Sequence, residues 1–233
     1  MKSFIPLPIR IPQLVKWWYP KWYIWDMPKK EKVLYLSFDD GPIPEVTEWV
    51  LDTLLSTRQA GSRNSATLDS PIPATFFCIG DNVRKHPKIF KKIISSNHAI
   101  GNHTYNHLKG WQTAKATYIE NTQLCEKEMS KIAEKEGKKL NFPLFRPPYG
   151  KIKRNQAKAL RKLGYTLIMY RIVAYDWDEN TSPKQCLENI IKNTRSGDII
   201  VFHDSVKAYK NLKYTLPRAI DYFLKNGYRF EKL

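Results

Sequence analysis

The 233-residue sequence has few cysteines, few acidic residues and no long apolar run, and each shortage limits what the chain can be. The three cysteines, Cys78, Cys125 and Cys186, are widely spaced and odd in number. Their spacing and number indicate neither a disulfide scaffold nor a cysteine-rich zinc site, so we expect buried free thiols. Only 22 Asp and Glu oppose 39 Lys and Arg, so the net charge is +17 and anionic partners are favoured. Because lysine recurs along the whole chain, an ordinary solvated surface explains the charge equally well.

No stretch approaches the ~20 apolar residues that a membrane-spanning helix needs. Residues 1–15 begin like a signal peptide, but prolines and an arginine interrupt the apolar run and no small-residue cleavage site follows. We therefore expect neither a signal peptide nor a transmembrane helix, with the cytoplasm as the default location. The charge permits nucleic acid as a partner, but no nucleic-acid-binding motif accompanies it, so we expect no specific nucleic acid.

The hydrophobic fraction of 42% and the aromatic fraction of 13% are those of a globular protein with a substantial core. Residues 1–31 are rich in proline, and Trp and Tyr cluster between Trp17 and Trp25. Such residues suit sugar-stacking or membrane-interface positions. We favour a strap that packs across the domain, because a terminus must be tied down to be ordered. Residues 32–233 then form the catalytic domain.

Strand-like and helix-like segments alternate from residue 32 onwards. Strands are predicted over 32–38, 74–79, 99–100, 144–146, 166–170, 171–175, 198–202 and 228–230, and helices over 45–55, 88–95, 113–136, 155–163, 183–193 and 216–225. The alternation predicts an α/β fold with a largely parallel sheet, either barrel-like or doubly wound. Residues 57–73 exceed the usual helix-to-strand connection of about 2–6 residues. We expect a mobile insertion there, on the face opposite the active site.

Polar residues that could bind a metal or transfer a proton lie beside the ends of the predicted strands. Asp39 and Asp40 end the first strand, where the turning chain lets both carboxylates approach one site. His103 and His107 are four residues apart, so on one helical turn they would face the same way and chelate a metal. Each pair alone also suits a solvated surface. His203 ends the apolar run 199–202, where a buried structural histidine is an equally good interpretation.

The combination of these residues is more informative than any one of them. Ligand sites in parallel α/β folds gather at the carboxyl ends of strands. Two histidines and one carboxylate leave open metal positions for water and substrate, as a catalytic site requires. A second carboxylate, an arginine and a third histidine supply a base, an orienting group and an acid.

The short sequence motifs that contain these residues, taken in their order along the chain, resemble those of the polysaccharide deacetylase family. This family is also called the NodB-homology domain or carbohydrate esterase family four. The resemblance covers about residues 33–233 and rests on SFDDGP (37–42), HTYNH (103–107), RPPYG (146–150), DW (176–177) and VFH (201–203). Two positions depart from the family's pattern: Val173 replaces an aspartate and Val201 a leucine. The family's fold is a distorted (β/α) barrel, so the resemblance implies an α/β barrel of about seven parallel strands.

The resemblance also implies a metal-dependent hydrolase that removes N-acetyl groups from the amino sugars of a glycan and releases acetate. Asp40, His103 and His107 would bind one divalent metal, zinc in most members and cobalt or nickel in others. Trp177 and Val201 would shape the wall that receives the acetyl methyl group.

The remaining roles follow from the same resemblance. Asp39 would be the general base, and Arg146 would fix its position. His203 would be the general acid, held and tuned by Asp176. The backbone N–H of Tyr149 would help to form an oxyanion hole.

The resemblance leaves the substrate open between chitooligosaccharides and peptidoglycan, and the basic surface favours an anionic polymer. Alternatives are an O-deacetylase acting on acetylated xylan and a non-catalytic glycan-binding protein of the same fold. A non-haem iron oxygenase also uses two histidines and a carboxylate, but it needs no base such as Asp39. We expect a monomer that contacts anionic surfaces peripherally, and the family's substrates suggest the cell envelope as the alternative location.

Overall fold

The computed structural model describes residues 8–28, 31–59, 70–96, 98–140 and 143–233. The strands in these ranges are β1 Tyr23–Ile24, β2 Val33–Asp39, β3 Arg58–Gln59, β4 Ser70–Pro71, β5 Thr75–Cys78, β6 Ala99–Asn102, β7 Leu144–Phe145, β8 Thr166–Ile168, β9 Ile172–Val173, β10 Ile199–His203 and β11 Arg229–Glu231. The helices are α1 Gln13–Trp17, α2 Val46–Ser56, α3 Gly80–Lys85, α4 Pro87–Ser95, α5 Lys115–Lys135, α6 Arg154–Lys162, α7 Pro183–Asn193 and α8 Tyr209–Lys225. None of these helices is both long and apolar enough to cross a membrane.

Nine of the described strands form one parallel sheet in the order β1-β8-β7-β6-β5-β2-β10-β9, with β11 pairing beside the start of β2. The central strand β2 is buried at every position and pairs with β10 on one side and β5 on the other. A parallel strand covered on both faces needs apolar side chains throughout, which explains its sequence VLYLSFD. The predicted α/β class with a barrel-like parallel sheet is therefore confirmed, with nine strands instead of about seven.

Alternate side chains of β2 enter two hydrophobic cores. Leu34, Leu36 and Phe38 pack with the outer helices, whereas Val33 and Tyr35 pack in a second cluster on the other face of the sheet. Burying a large apolar side chain stabilises a fold by about 1.5–3 kcal/mol. These two cores hold β2 rigidly, so the residues at its carboxyl end have a fixed position.

The described part of the N-terminal segment joins both ends of the sheet. Ile11 N–H donates to the Arg171 carbonyl, and the Ile9 carbonyl accepts from Val173 N–H beside β9. Further along, β1 pairs with β8 at the opposite end of the strand order. The segment thereby spans the opening between β9 and β8, while Trp17 at the end of α1 and the following Trp18 stay 69% and 90% exposed.

Several predicted elements differ from the structure. The strands predicted over 166–170 and 171–175 are shorter, α3 was not predicted, and α8 begins at Tyr209 instead of residue 216. Pro217 lies inside α8, where the burial of Leu212, Leu216 and Ile220 outweighs the cost of the missing N–H. In the long connection over 57–73, β3 and β4 pair antiparallel. The predicted mobile insertion falls mainly on residues 60–69, which lie outside the described residues. All three cysteines are buried free thiols, as predicted.

Candidate active site

The carboxyl ends of the central strands converge on a groove of about 610 Å³. It is lined by Asp39, Asp40, His103, His107, Lys109, Trp111, Tyr149, Gly150, Lys151, Tyr170, Trp177, Val201, His203, Ser205 and Lys207. Eight of the ten residues predicted from the sequence are in this lining. The other two, Arg146 and Asp176, lie behind it, where each contacts a residue of the groove.

Asp40, His103 and His107 meet at one point, with their ligand atoms all within 4.8 Å of one another. Asp40 Oδ1 lies 3.2 Å from His107 Nε2 and 3.7 Å from His103 Nε2. His103 Nδ1 is 2.8 Å from the Arg146 carbonyl oxygen, so this nitrogen must carry the proton and donate it. The Nε2 lone pair of His103 is therefore free to bind a cation.

The two histidines do not share a helical turn, although their four-residue spacing is compatible with one. The chain after β6 is irregular, and both Thr104 and His107 have positive φ angles of 64° and 53°. Two successive loop amides donate to the side-chain oxygen of Asn121, and Thr104 N–H donates to Asn102 Oδ1. These hydrogen bonds hold the loop in a left-handed conformation that brings His103 and His107 together.

The residues present fit a divalent metal. Asp40 Oδ1 is buried and has no hydrogen-bond partner among the described residues, an arrangement that costs free energy unless a cation satisfies the oxygen. Burial lowers the pKa of His103 to about 4, so its imidazole is the neutral form that binds metals. Burial opposes the charge on Asp40, but His107, His203 and His103 outweigh it and hold the pKa of Asp40 below its ordinary value. One carboxylate and two imidazoles suit zinc with open positions for water and substrate.

Asp39 is held by Arg146, a fully buried arginine. Arg146 Nη1 donates to Asp39 Oδ1 at 2.7 Å and to Ser37 Oγ at 2.8 Å, and Nη2 donates to the Met169 carbonyl at 3.0 Å. The guanidinium also packs over the Phe77 ring at 4.0 Å. Asp39 Oδ2 is thereby directed towards the metal-binding residues, 3.9 Å from His103 Nε2.

Whereas Asp39 is paired with a positively charged arginine, His203 is paired with the negatively charged Asp176. Its Nδ1 lies 3.0 Å from Asp176 Oδ1, and its backbone N–H donates to Asp176 Oδ2 at 2.6 Å. Burial disfavours the charged imidazole, but Asp176, with Asp40 and Asp39 further away, outweighs burial and raises the pKa of His203 to about 9. His203 is consequently protonated at neutral pH, with Nε2 left to face the groove.

The other predicted groove residues lie around this centre. Tyr149 has a positive φ of 60°, and its half-exposed ring lies 4.6 Å from the His107 ring. Trp177 packs edge-on against His203 at 4.5 Å. Val201 is buried and pairs in register with Val173. Val173, where the family has aspartate, is buried in the same apolar cluster as Val201.

Asp204 and Thr47 support the site from behind the groove and were not predicted. Asp204 Oδ1 accepts from Gly41 N–H at 3.0 Å, and its Oδ2 accepts from Thr47 Oγ1 at 2.6 Å. Asp204 N–H also donates to the Asp39 carbonyl at 3.0 Å. Asp204 therefore fixes the turn that carries Asp39 and Asp40. The sequence could have pointed to Asp204 as a site residue, because it directly follows His203 in a chain that has few acidic residues.

Comparison with known proteins agrees with this geometry. Residues 67–168 match the family model for polysaccharide deacetylase. A peptidoglycan-N-acetylglucosamine deacetylase of Bacillus cereus is 33% identical over 214 residues, covering 91% of this chain and 91% of that protein. This chain belongs to the polysaccharide deacetylase family. It is thus a hydrolase acting on carbon–nitrogen bonds other than peptide bonds, in a family that depends on a metal.

Further relatives of this deacetylase agree in sequence and in fold. The peptidoglycan-N-acetylmuramic acid deacetylase PdaA of Bacillus subtilis is 30% identical over 207 residues, covering 88% of this chain and 71% of that protein. The structure of PdaA, a family 4 carbohydrate esterase, superposes with a TM-score of 0.78 at 26% identity, covering 100% of this chain and 92% of that one. The Bc1960 peptidoglycan N-acetylglucosamine deacetylase gives a TM-score of 0.80 at 27% identity, covering 95% and 94%.

Proposed function

We propose that this deacetylase hydrolyses the N-acetyl groups of amino sugars in a peptidoglycan- or chitooligosaccharide-type glycan, with Asp40, His103 and His107 holding one divalent metal, preferably zinc. The observation that carries the proposal is the pair of ionisable groups beside these three residues. Asp39 is matched with a cation, Arg146, whereas His203 is matched with an anion. One group therefore suits proton removal and the other proton delivery.

Asp39 is the general base of the proposed reaction. A bound divalent metal would polarise the acetyl carbonyl and lower the pKa of the attacking water. Asp39 takes the proton of that water, and the charge-assisted bond from Arg146 at 2.7 Å keeps its carboxylate aimed. The backbone N–H of Tyr149 is the candidate donor to the developing oxyanion, and losing such a donor typically costs about 3–4 kcal/mol of transition-state stabilisation.

His203 is the general acid. An amine leaves poorly unless its nitrogen is protonated as the carbon–nitrogen bond breaks. The raised pKa of His203, about 9, keeps the proton available at neutral pH. Asp176 orients the ring through Nδ1, and Trp177 packs against the same ring. The products are acetate and a free amino sugar.

Acetate release from a glycan panel tests this function. The panel contains chitin oligomers, peptidoglycan strands and acetylated xylan, each assayed after chelation and after addition of zinc, cobalt or nickel. We expect N-acetylated glycans to be substrates, and activity to vanish with chelator and return with metal. Release from xylan alone would instead establish an O-deacetylase, and no release from any glycan would contradict the proposal.

Two substitutions separate the metal-binding residues from the base. Asp39→Asn should keep stoichiometric zinc but release no acetate, because the base is lost while the metal-binding side chains remain. His103→Ala should lose the zinc itself. His86→Ala, outside the groove, is the matched control and should keep both zinc and turnover. An active Asp39→Asn enzyme would refute the assignment of the base.

We further propose that residues 32–233 are the catalytic domain, that the segment up to residue 31 is a strap, and that the protein acts as a monomer. The pairing of residues 9–11 beside β9 and of β1 with β8 supports the strap. Light scattering of the zinc-loaded protein measures the oligomeric state.

A further inference from the structure

A long part of the chain beside the groove contains no acidic residue. Residues 137–175 hold ten Lys and Arg and no Asp or Glu, although the whole chain has 22 acidic residues. This part includes Arg146 of the active site and the whole of α6. A local imbalance of this size produces a positive potential that attracts anions.

The exposed face of α6 arranges part of this charge in a row. Arg154, Lys158 and Lys162 follow one another at four-residue spacing, so they lie along one side of the helix. All three are exposed, and none forms an ion pair with another residue that the structure describes. The nine residues of α6 extend over about 14 Å at 1.5 Å per residue, which is longer than one sugar ring.

The row on α6 follows a groove-lining lysine along the chain. Lys151, three residues before α6, lines the groove, and its Nζ lies 5.4 Å from the centre of the Trp111 ring. Lys109 Nζ, also in the groove lining, lies 6.0 Å from the centre of the Tyr149 ring. Positive charge therefore lies in the groove lining at Lys109 and Lys151, and the chain carries it three residues further to Arg154 at the start of α6.

We propose that α6 is an extended binding surface for a glycan strand that carries carboxylate groups, with Arg154, Lys158 and Lys162 contacting the sugars beyond the one being deacetylated. The inference rests on the proposed function, because a polymeric substrate must continue past the groove that holds its reacting unit. It adds a substrate class: a strand with sugar acids or acidic side groups, in preference to a neutral chitin chain.

The buried face of α6 argues against an anionic membrane as the occupant. Interfacial helices insert an apolar face between lipid headgroups. In α6 that face, which includes Ala157 and Leu160, is fully buried in the protein core. What remains exposed on the helix is polar and charged, which suits a hydrated anionic polymer.

The test compares one polymer with and without its charge. Peptidoglycan strands are assayed with free carboxylates and after chemical amidation of those carboxylates, and kcat/KM is measured for both. The test variant is Arg154→Gln/Lys158→Gln/Lys162→Gln. The control is Lys127→Gln/Lys131→Gln/Lys135→Gln, which removes three exposed charges at the same spacing from α5, where acidic residues lie between them.

We expect the test variant to lower the ratio of kcat/KM for the free polymer to that for the amidated polymer by about tenfold, since each exposed pair contributes modestly. The control should leave the ratio at its wild-type value. Equal ratios for the two variants would overturn the proposal. So would a test variant that loses binding to phosphatidylglycerol vesicles while its ratio is unchanged.

A second measurement keeps this result distinct from the proposed function. If the wild type released no acetate from any glycan, the proposed function would fail. Co-sedimentation of the three proteins with free and amidated strands would still decide the binding surface. Weaker binding of the α6 variant to free strands alone, with thermal unfolding like that of the control, would support the surface.

Discussion

Replacing Asp176 by Asn tests whether His203 delivers the proton to the departing nitrogen. Asp176 Oδ1 lies 3.0 Å from His203 Nδ1, and its Oδ2 accepts the His203 backbone N–H at 2.6 Å. Asn has nearly the same shape, so the variant removes the negative charge while changing the packing little. The Asp176 carbonyl also accepts from Asn211 Nδ2, a contact that the substitution leaves in place.

The size of the effect follows from the pKa of His203. It is about 9 with Asp176 present, because the carboxylates around the ring outweigh burial. Without the charge of Asp176, burial returns the pKa towards the ordinary 6.5. At pH 8 the protonated fraction then falls from about 90% to about 3%, roughly a 30-fold loss of the acid form. At pH 6 the same change costs less than about twofold.

The assay is the pH dependence of kcat for acetate release by the zinc-loaded enzyme from a chitin oligomer between pH 5.5 and 9.5. For the wild type we expect activity to fall as pH rises through about 9, because the raised pKa keeps the acid form below that pH. For Asp176→Asn the alkaline limb should move down by about 2.5 pH units. Glu179→Gln, which removes an 83% exposed charge from the same loop, is the control and should keep the wild-type profile. An equal loss at pH 6 and pH 8 would refute the assignment of His203 as the acid.

Two further predictions concern the support of the site and the loop opposite it. Thr47→Val removes the hydroxyl that donates to the buried Asp204 side chain at 2.6 Å. The free energy of unfolding, measured by urea titration, should fall by about 1–3 kcal/mol because a buried polar group loses its partner. Zinc affinity should weaken as well, because the turn that carries Asp40 loosens. Unchanged zinc affinity would show that Asp204 stabilises the fold alone. Replacing residues 60–69 by Asn-Gly closes β3 and β4 as a two-residue hairpin. Turnover should stay within about twofold of wild type, because helix-to-strand connections lie on the face opposite the active site, and a larger loss of kcat would contradict that placement.

The rule that ligand sites lie at the carboxyl ends of parallel strands, together with the resemblance to the polysaccharide deacetylase family, predicted which side chains meet at the site. Asp39 and His203 end long apolar strands that the sequence shows clearly, and Arg146 follows the two-residue strand β7. The local conformation of the loops was harder to predict. His103 and His107 have helical spacing, yet they meet through a left-handed loop held by Asn121 and Asn102. Those hydrogen bonds come partly from a distant helix, and no local pattern encodes them.

Long-range pairing accounts for most of what the sequence did not predict. Tyr23 pairs with Leu167 across the closing edge of the sheet, and the two-residue strand β1 is too short to be recognised from the sequence. The contact between Asp204 and Thr47 joins residues 157 positions apart. Such contacts depend on the register of the whole sheet, and periodicity within one segment carries no information about it.

Unusual backbone conformations concentrate at the site. Among the residues that the structure describes, six other than glycine have positive φ, and five of them border the groove or its motifs: Asp40, Thr104, His107, Tyr149 and Tyr175. A left-handed residue other than glycine costs about 1 kcal/mol or more, so each needs support from its surroundings. At Asp40, where φ is 85°, the support is visible: Asn82 Nδ2 donates to its carbonyl at 2.7 Å, and Asp204 holds the amide of Gly41. Adjacent side chains on a continuous strand would point to opposite faces. The turn at Asp40 is what lets Asp39 and Asp40 face the same centre, one as the proposed base and the other as the proposed metal ligand.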